Sequence, residues 1–327
     1  MQQRNWGRAG LRVPEIGLGC WQLGGGWNKH WDDDIAQHIL QAAYDSGVRF
    51  IDTADVYGDG ASERSIGRFL QQQRDGSLVV ASKLGRAGIY PDHYTREALR
   101  EATLRSLERL QLDCLDLTQL HCVPTAVLRQ GHVFDWLREL QQAGLIRRWG
   151  ASVESVDEAM LCLEQSELSS LQIIFNIFRQ KPAEVLLPRA AAQGVAIIVR
   201  LPLASGLLSG MITRSTTFGD DDHRNFNRDG ALFNVGETFA GLPLETGIAA
   251  TEQLAALVPA GMTMAQMALR WILDHPAVSV VIPGASRPEQ VHANVAAASV
   301  APLPAALQQA LAALYRSDVH DAIRGPY

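Results

Sequence analysis

Four side chains able to hold or move a proton stand at the ends of short apolar runs. Asp52 closes RFID (49–52), Tyr57 follows five residues later in DTADVYG, Lys83 follows LVVAS (78–82) and His121 follows LDLTQL (115–120). A phenol with an ordinary pKa of about 10 is a weak acid at neutral pH, and a neighbouring ammonium stabilises its phenolate and lowers that value. Lys83 is suited to do this for Tyr57. A buried lysine tends to lose its own proton, so a carboxylate partner is needed, and Asp52 is the one within reach. His121 can then donate to a substrate carbonyl and orient it. The chemistry expected is protonation of a carbonyl oxygen as negative charge develops on it, which requires no metal. Taken singly, each residue also reads as a turn former, a solvated charge, a packed aromatic or a strand-end histidine. Four such accidents at matching strand ends are a poorer account than one site.

The elements that must position them alternate. EIGLG (15–19), RFID, LVVAS, LDLTQL, RRWGAS (147–152), LQIIFN (171–176), VAIIVR (195–200) and VSVVIP (278–283) predict eight strands, with amphipathic helices between them. Thr95 opens a capped helix with Ala98 in its first turn, and HVFDWLRELQQAG stops at Gly144. Eight βα units form either an open doubly wound sheet or a closed (β/α)8 TIM barrel. No strand runs into G-x-G-x-x-G, the phosphate loop of an open dinucleotide-binding sheet, so the barrel is favoured. RNWGRAGLRVP reads as an N-terminal β-hairpin plugging one barrel end. The aperiodic stretch 203–245, after the seventh strand, reads as a long lid loop. Active sites in such barrels lie at the C-terminal strand ends, where the four residues fall. One domain spanning 1–327 is expected.

Composition narrows the function class. The chain has 327 residues, 47% apolar and 20% charged, with a net charge of −6. No basic footprint for nucleic acid is visible. MQQRNWGRAG lacks the apolar segment of a signal peptide, and no run approaches the length of a membrane span, so a cytoplasmic location is expected. Cys20, Cys114, Cys122 and Cys162 show no metal or redox spacing. Cys114 and Cys162 are expected as core fillers, whereas Cys20 and Cys122 lie near the chemistry.

FIDTADVYG, ASKLG, LDLTQLHCVP and IPGASRPEQVHAN, in order between GLGCW (17–21) and HAN (292–294), together resemble the aldo-keto reductases. The resemblance implies that Asp52, Tyr57, Lys83 and His121 form that family's catalytic tetrad. It also implies NADPH extended across the barrel mouth, beside Gly19, Cys20 and Trp21 of the first loop and Asp52. Ser152 and Gln172 match the residues on the nicotinamide carboxamide, while Val153 stands where an asparagine is frequent. Leu203 to Leu207 match the pyrophosphate loop, with Ser205 a hydroxyl donor and Gly206 allowing close approach. Arg200 replaces the aromatic residue that stacks on the nicotinamide, and its charge favours NADPH over NADP+. Gly284, Ser286 and Arg287 precede a helix whose start suits the 2′-phosphate; Gln290 and Asn294 match adenine contacts, and Ala285 replaces a lysine found in some members.

Trp21, Tyr57, His121 and Cys122, with the lid, are the expected pocket for a small-molecule carbonyl substrate, and Trp27 and Trp31 are candidates for apolar wall. Two other readings stay open: a cofactor-sensing regulatory subunit built on the same barrel, and a Schiff-base aldolase using Lys83. The aldolase has no need of Tyr57 or Arg287. Oligomeric state is not legible.

Overall fold

Runs of β-branched residues separated by amphipathic helices close here into a ring of parallel strands. The computed structural model describes residues 1–7, 10–25, 32–74 and 76–327, so Trp27 and Trp31 lie outside the described residues. Strands β1 (Gln3–Trp6) and β2 (Leu11–Pro14) form the antiparallel hairpin. The barrel follows in chain order: β3 (Leu18–Gly19), β4 (Phe50–Asp52), β5 (Val79–Leu84), β6 (Leu117–His121), β7 (Trp149–Ser152), β8 (Ser170–Ile174), β9 (Ala196–Arg200) and β10 (Val278–Val281). Each pairs in parallel with the next. The ring closes through bridges from Ile16 to Val281 and from Gly19 to Gly284. Gly17 N donates to Val281 O at 2.8 Å and Val281 N to Glu15 O at 3.0 Å across the same seam.

Side chains alternate across a strand, so residues two apart share a face. Phe50, Ala81, Leu117 and Ile198 pack inside the barrel with Trp6 of the hairpin. Two positions further along the same inward faces come Asp52, Lys83, Gln119 and Arg200. The apolar floor thus fixes, by register alone, a polar layer directly above it. The remaining core lies between the strands' outer faces and the helices.

The expected elements are present with bounds shifted by a residue or two. Thr95 caps the helix Arg96–Leu110, its hydroxyl accepting from Ala98 N at 3.1 Å. The helix His132–Gln142 ends just before Gly144, which takes φ +73°. The lid is a chain of short turns, Ala204–Ser209, His223–Phe226, Val235–Glu237 and Phe239–Gly241, and regular helix resumes at Leu244–Ala255. Cys162 is buried, but Cys114 is only half-buried, a correction to its expected place in the core. It sits in the turn ahead of β6, outside the packed strand. Among the described residues, no helix is long and apolar enough to cross a membrane.

The hairpin is riveted to the barrel floor. Trp6 packs on Phe50 with ring centroids 5.1 Å apart and donates from Nε1 to Ser169 Oγ at 3.1 Å. Arg4 donates to the carbonyls of Leu273, His275 and Val278 and pairs with the buried Glu15 at 3.0 Å. Arg4→Met should therefore lower stability by about 3 kcal/mol, because Glu15 is left buried without its cation. Urea unfolding of wild type and variant measures this; a difference below about 0.5 kcal/mol would show the plug to be an ornament of the fold.

Candidate active site

The inward polar layer converges on one carboxylate. Asp52 Oδ1 accepts from Lys83 Nζ at 2.5 Å, and Oδ2 accepts from Gln172 Nε2 at 2.7 Å and Gln119 Nε2 at 3.2 Å. These partners arrive from β5, β8 and β6. Lys83 Nζ donates also to Thr53 O at 2.8 Å and to Tyr57 Oη at 3.1 Å. An ammonium has three protons, and all three are now assigned. Because the phenol oxygen accepts from Lys83, its own proton must point elsewhere, away from the ammonium.

Tyr57 is held by the loop that follows β4. Gly58 has φ +58°, and a Cβ there would lie 2.0 Å from Gly24 O, so the Tyr57 loop and the first βα loop touch backbone to backbone. His121 stands edge-on to the Tyr57 ring, centroids 5.9 Å apart. Among the described residues His121 Nδ1 is buried without a partner. The next residue, Cys122, has φ +48°, which bends the chain sharply at the strand end.

Electrostatics fix the protonation states. Burial opposes the charge on Lys83, but Asp52 and Tyr57 more than offset it and raise its pKa. Burial, then Arg86, Lys83 and Arg200, push His121 well below its usual range, so it is neutral at physiological pH. Tyr57 departs from expectation. Lys83 does pull its pKa down, yet burial outweighs that pull and leaves it above the ordinary phenol value.

The residues matched to the cofactor line the same mouth. Gln172 spends its amide nitrogen on Asp52, which turns its Oε1 toward Ser152 Oγ, 3.5 Å away. An acceptor and a hydroxyl side by side suit a carboxamide, which offers both N–H and C=O. Leu201, Ala204, Ser205 and Gly206 all take positive φ, a bent-back path in which Ala204 N and Gly206 N donate to Leu201 O and Leu203 O at 3.1 and 2.9 Å. Ser205 Oγ is already engaged, donating to Glu237 O and accepting from Phe239 N, both at 3.1 Å. Gly19 and Gly284 meet at the barrel seam, and the Gln22 amide fills the space where a Gly284 Cβ would lie. Cys20 is buried, its N donating to Asp52 O at 2.8 Å. Trp21 packs edge-on to His223 of the lid, centroids 4.9 Å apart. Ser286 N and Oγ donate to Gln290 Oε1, and Asn294 Nδ2 donates to Gly284 O, so these two helix residues brace the loop before them. Arg287 is exposed at the start of helix Pro288–Ala296. Leu203 precedes the first turn of the lid and Leu207 is buried within it.

Sequence reading missed a second charge cluster beside Cys122. Arg200 Nη1 pairs with Glu237 Oε1 at 3.3 Å, and Nη2 donates to Val153 O at 3.2 Å and to Cys122 Sγ at 3.6 Å. Arg86 pairs with Glu154 at 3.2 Å and donates to His121 O. Cys122, Glu154 and Glu237 bring ligand atoms within 4.8 Å of one another, but both carboxylates already hold guanidinium partners. Pairing with Glu237 offsets the free charge on which the expected bias of Arg200 toward NADPH rests. Gln119 could have been found by period two from His121. Nothing in the aperiodic lid marks Glu237.

The Aldo/keto reductase family model matches residues 15–316. Aldo-keto reductase YhdN of Bacillus subtilis (strain 168) is 30% identical over 291 residues, spanning 87% of this chain and 85% of its own length. The NADH-specific methylglyoxal reductase of Escherichia coli (strain K12) is 30% identical over 316 residues, spanning 90% and 92%. Among solved structures, the holo form of aldo-keto reductase AKR11C1 from Bacillus halodurans aligns with a TM-score of 0.77 at 28% identity, covering 96% of each chain. An aldo-keto reductase from Klebsiella pneumoniae in complex with NADPH aligns with a TM-score of 0.70 at 26% identity, again over 96% of each.

One buried acid beside the tetrad has no partner: both Asp55 oxygens are buried and unbonded among the described residues. Burial, then the nearby Glu63 charge, raise its pKa to about 7, against the pull of Arg109. The native state therefore holds a proton that the unfolded chain has already lost, so stability from this group is full at low pH and falls as pH rises toward about 7. Asp55→Asn, uncharged at every pH, should raise Tm relative to wild type more at pH 8 than at pH 5. The differential is a few kcal/mol at most, since each tenfold change in proton affinity is worth about 1.4 kcal/mol. Thermal scans at both pH values check it, and an equal effect at both would mean that Asp55 is ionised throughout.

Proposed function

The chain belongs to the aldo/keto reductase family, and from that premise we propose that this oxidoreductase reduces aldehyde or ketone carbonyls to alcohols with NADPH, Tyr57 acting as general acid. The observation that carries the reading is the complete assignment of the Lys83 protons to Asp52, Thr53 and Tyr57. It leaves the Tyr57 hydroxyl proton as the one free to meet a substrate oxygen.

NADPH, when bound, supplies hydride to the carbonyl carbon. The protein's part is orientation and proton delivery. Ser152 and the Oε1 of Gln172 would hold the carboxamide, and the bent-back backbone from Leu203 to Leu207 the diphosphate. His121, neutral, would donate one hydrogen bond to the carbonyl oxygen and present it to Tyr57. As negative charge develops on that oxygen, the Tyr57 proton crosses to it and the charge left on the phenol is met by the Lys83 ammonium. Asp52 keeps that ammonium charged. We read the chain as a single barrel domain over 1–327 acting in the cytoplasm on a small-molecule carbonyl substrate.

Tyr57→Phe should cut carbonyl reduction by roughly 10²–10⁴-fold while leaving the NADPH dissociation constant within a few-fold of wild type. NADPH absorbance with a panel of small aldehydes reads the first, and fluorescence titration the second. Turnover in the variant within tenfold of wild type would sink the assignment.

Preference for NADPH over NADH rests on Arg287, exposed where a 2′-phosphate would meet the helix start, while the Escherichia coli relative is named for NADH. Arg287→Ala should weaken NADPH binding by roughly ten- to a hundredfold, the worth of one charge-assisted hydrogen bond, and barely change NADH binding. Equal weakening of both cofactors in titrations would assign Arg287 a structural role.

A further inference from the structure

Three cations around the pocket each face one carboxylate, and a fourth, the buried Arg179, is spent on the carbonyls of Ala240, Glu154 and Pro326. Lys83 faces Asp52, Arg86 faces Glu154, and Arg200 faces Glu237, at 2.5, 3.2 and 3.3 Å. No cation in this set is left over for a substrate carboxylate or phosphate. An anionic group entering beside Arg200 would have to displace Glu237, stranding a partly buried carboxylate, or share the arginine with it. Either is unfavourable.

The Arg200–Glu237 pair is nonetheless far from saturated. Arg200 Nε is buried with no partner among the described residues, and Glu237 uses only Oε1, toward Arg200 and Cys122. A pair that keeps both a spare N–H donor and a spare carboxylate acceptor, with no net charge, suits a group that donates and accepts at once. A hydroxyl does so. The pair also lies close enough to the chemistry to act on it: Glu237 raises the Tyr57 pKa, and Arg200 lowers that of His121. Cys122, the residue next to His121, is the small side chain against which Arg200 rests.

We propose that Arg200 and the lid carboxylate Glu237 form a charge-neutral specificity pair that selects uncharged hydroxylated carbonyl compounds and discriminates against carbonyl compounds bearing a carboxylate. This rests on the carbonyl-reductase reading. Glu237 arrives with the lid, so the selecting group is complete only when Val235–Glu237 sits over β9.

The test compares steady-state reduction of two pairs of aldehydes by the full chain. Glyceraldehyde against propanal isolates the hydroxyls, and succinic semialdehyde against butanal isolates the carboxylate. Wild type should show a KM for glyceraldehyde about tenfold or more below that for propanal, and a KM for succinic semialdehyde about tenfold or more above that for butanal, as one charge-assisted hydrogen bond gained or lost implies. Glu237→Gln releases Arg200 from its counter-ion, so both ratios should move toward or past unity by about tenfold, chiefly through KM rather than kcat. Glu237→Asp should restore part of the wild-type pattern. Wild-type ratios near unity, or ratios unmoved by Glu237→Gln, overturn the proposal while leaving carbonyl reduction in place. Failure to reduce propanal and butanal as well overturns the carbonyl-reductase reading and this inference with it.

Discussion

Burying a lysine at the centre of a barrel is costly, and much of this site follows from how that cost is met. An ammonium taken out of water without a partner sheds its proton, so Lys83 is useful to Tyr57 only while Asp52 faces it. Asp52 in turn needs its other oxygen satisfied, and Gln172 and Gln119 supply that. One carboxylate thereby ties β4 to β5, β6 and β8, while the main-chain oxygen of the same residue receives Cys20 N from the first loop. The arrangement also decides two orientations that matter for chemistry. It turns the Gln172 amide so that an oxygen faces Ser152, and it makes the Tyr57 oxygen an acceptor toward Lys83, so that its proton faces away.

The same burial sets the acid's strength. Lys83 alone would make Tyr57 a stronger acid, but the pocket's low polarity holds the phenol above its ordinary pKa. In a proton donor this balance is useful. In the role proposed for Tyr57, the proton would stay in place in the resting site and move only when charge on a substrate oxygen draws it. His121, made neutral by burial and by three surrounding cations, keeps an N–H to donate without adding a charge that would compete with Lys83.

The barrel and the strand-end residues Asp52, Lys83 and His121 are legible in sequence because both obey period two, and Tyr57 stands out in the loop that follows the first of them. Apolar inward residues mark the strand, and the polar residue that closes it marks the rim. Strand ends blur by a residue or more, since EIGLG is largely bridges rather than ladder and VSVVIP stops at Val281. Gln119 escapes because LDLTQL also carries Asp116 and Thr118, so it does not stand out there as the inward partner of Asp52 that it is. Burial itself is not written in local pattern, and so reading the Tyr57 shift from Lys83 alone gives it the wrong sign. The Arg200–Glu237 pair is out of reach for a different reason: it joins a strand to a lid segment with no periodicity, across a separation that no spacing rule spans.

That long-range pair also alters what the lid is. Ser205, in the turn that follows β9, bonds both Glu237 O and Phe239 N, so the bent-back segment proposed to hold the diphosphate and the segment carrying the selecting carboxylate are fastened to each other. Arg179, buried beneath them, donates to Ala240 O and Glu154 O, linking the same lid to the strand-end loop that pairs with Arg86. Movement of either lid segment is therefore felt by the other through one hydroxyl and one guanidinium. A cofactor settling against residues 203–207 would bear directly on where Glu237 stands, and through Arg200 on the charge beside His121. The wall proposed to contact substrate and the loop proposed to seat the cofactor are thus fastened into one unit, and the Arg200–Glu237 pair depends on where that unit places Val235–Glu237.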